Sequence, residues 1–155
     1  MAISRFAKVL FALLISVAFP RVSLGGCPET FSGEFLVANW REDLPRSGKL
    51  ERYKKGSDFR MLEDRQEEGL VTERVVSESG KGFLRVYFKT RQLLPLKADY
   101  KLVLDGQLEF RISEIVATNE GAWGCPLESA RVNSCKADAN VVISFDRQCG
   151  VPVRK

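Results

Sequence analysis

Acids and cysteines are the residues of this chain with the means to do chemistry. Glu63, Asp64, Glu67 and Glu68 lie close together, and a pair of carboxylates is the whole apparatus of glycoside hydrolysis. Their setting argues otherwise. Residues 41–68 are dense in charges of both signs, with Lys49, Arg52, Lys54 and Lys55 ahead of the acids and Pro45, Gly48 and Gly56 as breakers. Solvation explains such acids better than catalysis does. The chain has no histidine. That removes the usual general base, the Ser-His-Asp and Cys-His sets and imidazole zinc sites. No Cys-x-x-Cys, Gly-rich phosphate loop or calcium loop is present, and Gly80-Lys81-Gly82 reads as a turn. The expectation is a protein that is not an enzyme, with no cofactor and no metal.

The four cysteines are Cys27, Cys125, Cys135 and Cys149. Residues 1–25 read as a signal peptide: Arg5 and Lys8 at the start, an apolar run over 9–19 too short to span a membrane, and small residues Ser23 and Gly25 before a cut after Gly25. No other stretch is long and apolar enough for a transmembrane helix. Export makes disulfides the expected fate of the cysteines. Cys125–Cys135, closing a short loop, and Cys27–Cys149, tying the ends together, are the favoured pairs. Leu24-Gly25-Gly26-Cys27 also resembles a bacterial lipobox, which would make Cys27 a lipid anchor. Arg21 just before the box and the odd cysteine that lipidation would leave favour soluble export to the periplasm or beyond.

The formal net charge of +4 misleads. Arg5, Lys8 and Arg21 leave with a leader that holds no acid, and the mature chain carries about +1. The basic stripe Lys49, Arg52, Lys54, Lys55 has only Tyr53 interleaved, so no nucleic-acid interface is expected.

The element that organises the rest is residues 83–116. Two β signals flank Asp105-Gly106, and a three-residue loop, Leu104-Asp105-Gly106, gives each strand one apolar face. Tyr100 then faces Phe110, Leu102 faces Leu108 and Lys101 faces Glu109, with Gly106 at the position that needs a left-handed backbone. The alternation breaks after Ile112, predicting a bulge near Ser113-Glu114. Before the hairpin, Leu84, Val86 and Phe88 share a face. Further strands are expected over 31–39, 70–77 and 140–146, the last with Val141, Ile143 and Phe145 inward. Residues 41–68 read as a mobile connection with a short helix near 48–55 or an edge strand near 58–63; the competing reading is a polar recognition surface. Leu94, six residues before Tyr100, resembles the tyrosine corner of immunoglobulin-like and fibronectin-type sandwiches. That resemblance implies a tyrosine hydroxyl bonded back to the preceding backbone. The fold class expected is all-β: one small antiparallel β-sandwich of about seven strands over residues 26–155, immunoglobulin-like and disulfide-stapled.

The long segment 118–139 reads as a disulfide-ordered loop. Within it Trp123 is the best candidate for a contact residue, against the plainer reading that it caps the Cys125–Cys135 bridge. Glu128 and Arg131 are its nearest charged companions. Trp40 reads as core. The function expected is an exported, non-catalytic binding protein of the bacterial envelope, inhibitor- or immunity-like, whose partner is another protein or an envelope component. Lysozyme-inhibitor families of similar size carry a Ser-Gly-x-x-Tyr loop, but here Ser79-Gly80 leads to Phe83. An accessory subunit of an envelope assembly, lipid-anchored or not, and a small carboxylate hydrolase are the alternatives.

Overall fold

A computed structural model describes residues 29–89, 93–117, 126–140 and 142–153. Thirteen strands follow in chain order: Thr30–Phe31 (β1), Phe35–Ala38 (β2), Gly48–Lys54 (β3), Leu62–Gln66 (β4), Leu70–Val76 (β5), Gly82–Phe88 (β6), Leu94–Pro95 (β7), Ala98–Leu104 (β8), Leu108–Ala117 (β9), Leu127–Val132 (β10), Cys135–Ala139 (β11), Ile143–Asp146 (β12) and Val151–Pro152 (β13). One 3-10 turn, Arg147–Cys149, is the only helical element among the described residues. None of their helices is long and apolar enough to cross a membrane.

The fold is all-β, but it is not the seven-stranded, immunoglobulin-like sandwich the sequence suggested. One curled half-barrel sheet runs β4-β3-β8-β9-β10-β11-β12-β2-β6-β5, with β13 added to β9 and a separate β1–β7 pair. Nor is it wholly antiparallel, because β12 and β2 pair in parallel. Pairing through β10, β11 and β12 is continuous, so among the described residues the sheet shows no gap at which it would divide in two. The extra strands come from segments read as loops: β3 and β4 from residues 41–68, β10 and β11 from residues 118–139. The expected helix near 48–55 is β3, and the expected strand over 31–39 is broken into β1 and β2. The edge strands β4 and β5 are consecutive in the chain, joined by residues 67–69 alone.

Side-chain alternation sends one face of each strand inward. Leu84, Val86 and Phe88, then Tyr100, Leu102 and Leu104, then Leu108, Phe110 and Ile112 are buried, joined by Phe35, Val37, Ile143 and Phe145. Of the strand expected over 140–146, Ile143 and Phe145 point inward and Val141 lies outside the described residues. The faces assigned to the 83–116 stretch are as expected. The register is not. The loop has three residues, but it begins one residue later, at Asp105, so that Leu104 pairs with Leu108, Leu102 with Phe110 and Tyr100 with Ile112. Lys101 therefore meets Arg111, not Glu109. Leu104 is buried and belongs to the inward row, which delays the turn. Asp105 and Gly106 take the left-handed backbone (φ 49° and 64°). The Asp105 carboxylate accepts from the Arg46 and Ser47 amides at 2.9 Å, fastening the turn to the approach to β3. The bulge is where it was expected: Glu114 has φ 51°, and residues 113–116 of β9 lie against 129–131 of β10.

Tyr100 does what the resemblance implied. Its hydroxyl donates to the Pro95 carbonyl at 2.6 Å, and its ring lies edge-on to Phe31. Burial, foremost, raises its pKa. Tyr100→Phe leaves that carbonyl without its donor. A loss of about 1–2 kcal/mol in a urea titration, with an unchanged circular dichroism spectrum, is the expected outcome.

The disulfide differs from both expected pairs. Cys135 is bonded to Cys149, which excludes Cys125–Cys135 and Cys27–Cys149 together. The reason is the β10–β11 hairpin: Cys135 opens β11 opposite Val132, beside the turn that holds Cys149. Cys27 and Cys125 lie outside the described residues.

Candidate functional site

The outward faces of the sheet differ in its two halves. Across β11, β12, β2 and β6 they form a groove of about 740 Å³. Register builds it. Phe83 lies opposite Ala38, and Ala38 beside Asp146, so an aromatic and a methyl make the floor. Ser144 lies beside Asp138. Lys81, Lys136, Asp138 and Asp146 supply charges of both signs around it, and the Cys135–Cys149 bridge fixes one end. Asp146 is already engaged, accepting from the Asn39 amide and from the Gln148 backbone N–H. The groove thus offers an apolar floor with charges of both signs interspersed around it, suited to holding a mixed polar and apolar segment. No group of three or more metal-ligating side chains occurs among the described residues.

The outward face of β3, β8 and β9 is instead charged, and it contains a carboxylate that sequence reasoning placed in solvent. Arg65, Glu51, Lys101 and Arg111 stand side by side across four strands. Glu51 is 3% exposed. It accepts from the Tyr53 hydroxyl at 2.6 Å and faces Lys49 at 3.2 Å, Arg65 at 2.9 Å and Lys101 at 3.5 Å. Residues 55–61 fold over this cluster. The Asp99 carboxylate pins the Gly56 amide at 2.8 Å, and Phe59 packs on Tyr53 and under the Arg111 guanidinium. Burial alone would raise the Glu51 pKa. The Tyr53 hydrogen bond and the lysines outweigh it and hold the carboxyl down at about 2. A group so far from neutrality, and so covered, is a poor proton shuttle; it acts as a structural anchor.

The acids of the hydrolase alternative lie at or near the sheet edge and not in the groove. Glu63 and Asp64 lie exposed on the edge strand β4 and pair with Arg52 at 3.5 and 3.8 Å, and Glu67 pairs with Arg65 at 3.7 Å. None of them, nor Glu68, lines the groove. Of the expected contact residues, Trp123 is outside the described residues. Glu128 and Arg131 are exposed on β10. Arg131 is the register partner of Lys136 on the groove wall, and bonds Glu114 at 3.0 Å; Glu128 is not part of the groove. Trp40 is only partly buried, against the edge of the core, with its indole N–H on the Asp43 carbonyl. Phe83 was missed as a site residue. Its signal was present: once Leu84, Val86 and Phe88 point inward, Phe83 and Tyr87 are aromatics on the outward face.

Comparison with protein-family models, with curated proteins and with solved structures gives no match. The class that fold and site define is an all-β protein with a disulfide-braced groove on the outside of a curled sheet.

Proposed function

We propose that this is an exported, non-catalytic binding protein of the bacterial envelope, inhibitor- or immunity-like, that holds a protein partner in the outer groove. The observation that carries the reading is Phe83, an aromatic on the floor of a roomy groove whose rim carries both signs of charge. Aromatic anchors ringed by polar groups dominate binding energy in protein interfaces. The disulfide is consistent with an oxidising compartment. The leader, cut after Gly25, would deliver the chain to the periplasm or medium in soluble form.

The test is capture from envelope extract by the oxidised mature protein, wild type beside Phe83→Ala. The variant is expected to fold and to bind its partner at least about tenfold more weakly, the scale of a truncated hot spot. Equal recovery by the two proteins, or no specific recovery by the wild type, overturns the reading. Intact mass decides the anchoring: soluble export gives an unmodified mature chain, and a lipid anchor on Cys27 adds the mass of its acyl chains.

A further inference from the structure

The two edges of the sheet are built differently. β4 is blunted: Glu63, Asp64 and Arg65 are exposed along it, and its register against β3 shifts beside Arg52 and Tyr53. Charges and bulges are how proteins stop strands from adding to an edge. β5 has no bulge. All seven of its residues pair with β6 without a shift, and among the described residues β6 is its only backbone partner. On its inner face the Thr72 hydroxyl bonds the Pro45 carbonyl, and Arg74 bonds the carbonyls of Trp40 and Glu42. These bonds use side chains, and among the described residues no backbone group bonds the peptide groups of the rim away from β6. Val76, at the end of the strand, is 68% exposed.

The strand reads Leu-Val-Thr-Glu-Arg-Val-Val, apolar at both ends and polar in the middle. We propose that a second copy of this chain adds its β5 antiparallel to β5, with the two-fold axis through Glu73. Matching outward faces require the axis to pass through a residue. On Glu73 it sets Val71 against Val75 of the second copy, Leu70 against Val76, and Thr72 against Arg74. On Thr72 it would set Val71 against Glu73 and Leu70 against Arg74; on Arg74 it would set Glu73 against Val75. Only the Glu73 axis joins apolar to apolar on both faces. Its one unfavourable apposition is Glu73 with its mate, and each carboxylate already has the Arg85 guanidinium at 3.7 Å. The outward row Ala38, Phe83, Val75 then runs on into the second copy, and both grooves open on one face of the merged sheet.

Sedimentation of the mature protein over a micromolar-to-millimolar dilution series tests this. The wild type is expected to dimerise. V71K/V75K sets lysine against lysine twice and should leave monomers. V71K/V75E sets lysine against glutamate twice and should restore the dimer. Val76→Lys changes a site too exposed to affect folding and should weaken the dimer at least about tenfold. A wild type that stays monomeric overturns the proposal, in favour of a strand from another protein if one is captured through β5. A dimer that survives V71K/V75K, or that Val76→Lys leaves unchanged, also overturns it. Dimeric wild type with monomeric V71K/V75E overturns the Glu73 axis.

Discussion

Glu51→Ala is expected to lower the free energy of unfolding by about 2–3 kcal/mol. Removing one partner of a fully buried ion pair costs about 3–5 kcal/mol. Here the cations are partly wetted, Lys49 at 36%, Lys101 at 18% and Arg65 at 48% exposure, which reduces the figure. The alanine leaves three like charges around an empty place and the Tyr53 hydroxyl without its acceptor. Glu51→Gln separates charge from shape, since its amide oxygen can still accept from Tyr53. The pH dependence gives a sharper signature. The Glu51 carboxyl titrates near 4.5 when unfolded and at about 2 when folded. Its stabilising contribution is therefore complete above about pH 4.5 and is lost as pH falls toward 2. Wild type should lose stability over that window, and Glu51→Gln should lose distinctly less. Parallel acid curves for the two proteins would show that Glu51 is not the anchor described.

Removing the Cys135–Cys149 bridge is the second large effect. The bonded cysteines are 14 positions apart, and closing a loop of that length is worth roughly 3 kcal/mol in the chain-entropy model. The variant C135S/C149S should lose about that much in a urea titration. Reductant should lower the wild-type midpoint at least as far. Local consequences follow from the geometry. The Asn133 side chain donates to the Cys149 carbonyl, and Gly150 packs so closely on Phe110 and Leu108 that a Cβ would stand 2.7 Å from the Phe110 ring. Freed of the bridge, residues 147–153 should exchange amide hydrogens faster. Peptide mapping without reductant should return Cys135 joined to Cys149; Cys125 found on Cys135 would refute the pairing.

Local chemistry made the centre of the fold readable. Strict alternation put Tyr100, Leu102, Phe110 and Ile112 on one face, and the three-residue step from Ile112 to Ile115 marked the bulge. The turn slipped because a three-residue loop starting at Leu104 and one starting at Asp105 yield the same faces, and only the burial of Leu104 separates them. β3 was hidden by its composition. Gly-Lys-Leu-Glu-Arg-Tyr-Lys looks solvated, since a charge is assumed to face water unless its partners are known. The partners of Glu51 come from β4 and β8 as well as β3, which no local window contains. β10 and β11 were hidden by weak strand formers, Leu-Glu-Ser-Ala-Arg-Val and Cys-Lys-Ala-Asp-Ala, whose order comes from pairing with β9 and β12. The disulfide was out of reach for the same reason: spacing alone does not choose among three pairings, and the hairpin that brings Cys135 to Cys149 was itself unread. As for the groove, alternation carried the signal for Phe83, although it was missed; the strand order that places Ala38, Asp146 and Lys136 around it could not be read locally.

The parallel union of β12 with β2 bears on the timing of folding. Asn39 and Asp146 meet there from positions 107 apart, and among the described residues the other strand beside β2 is β6. A growing polypeptide cannot complete this seam until Asp146 has left the ribosome. Loop closure over such a span is slow, and a chain exported as proposed above would gain from that delay, since threading through a membrane channel requires an unfolded state. A permuted chain in which β12 directly precedes or follows β2 should fold faster, its seam closing over a short span.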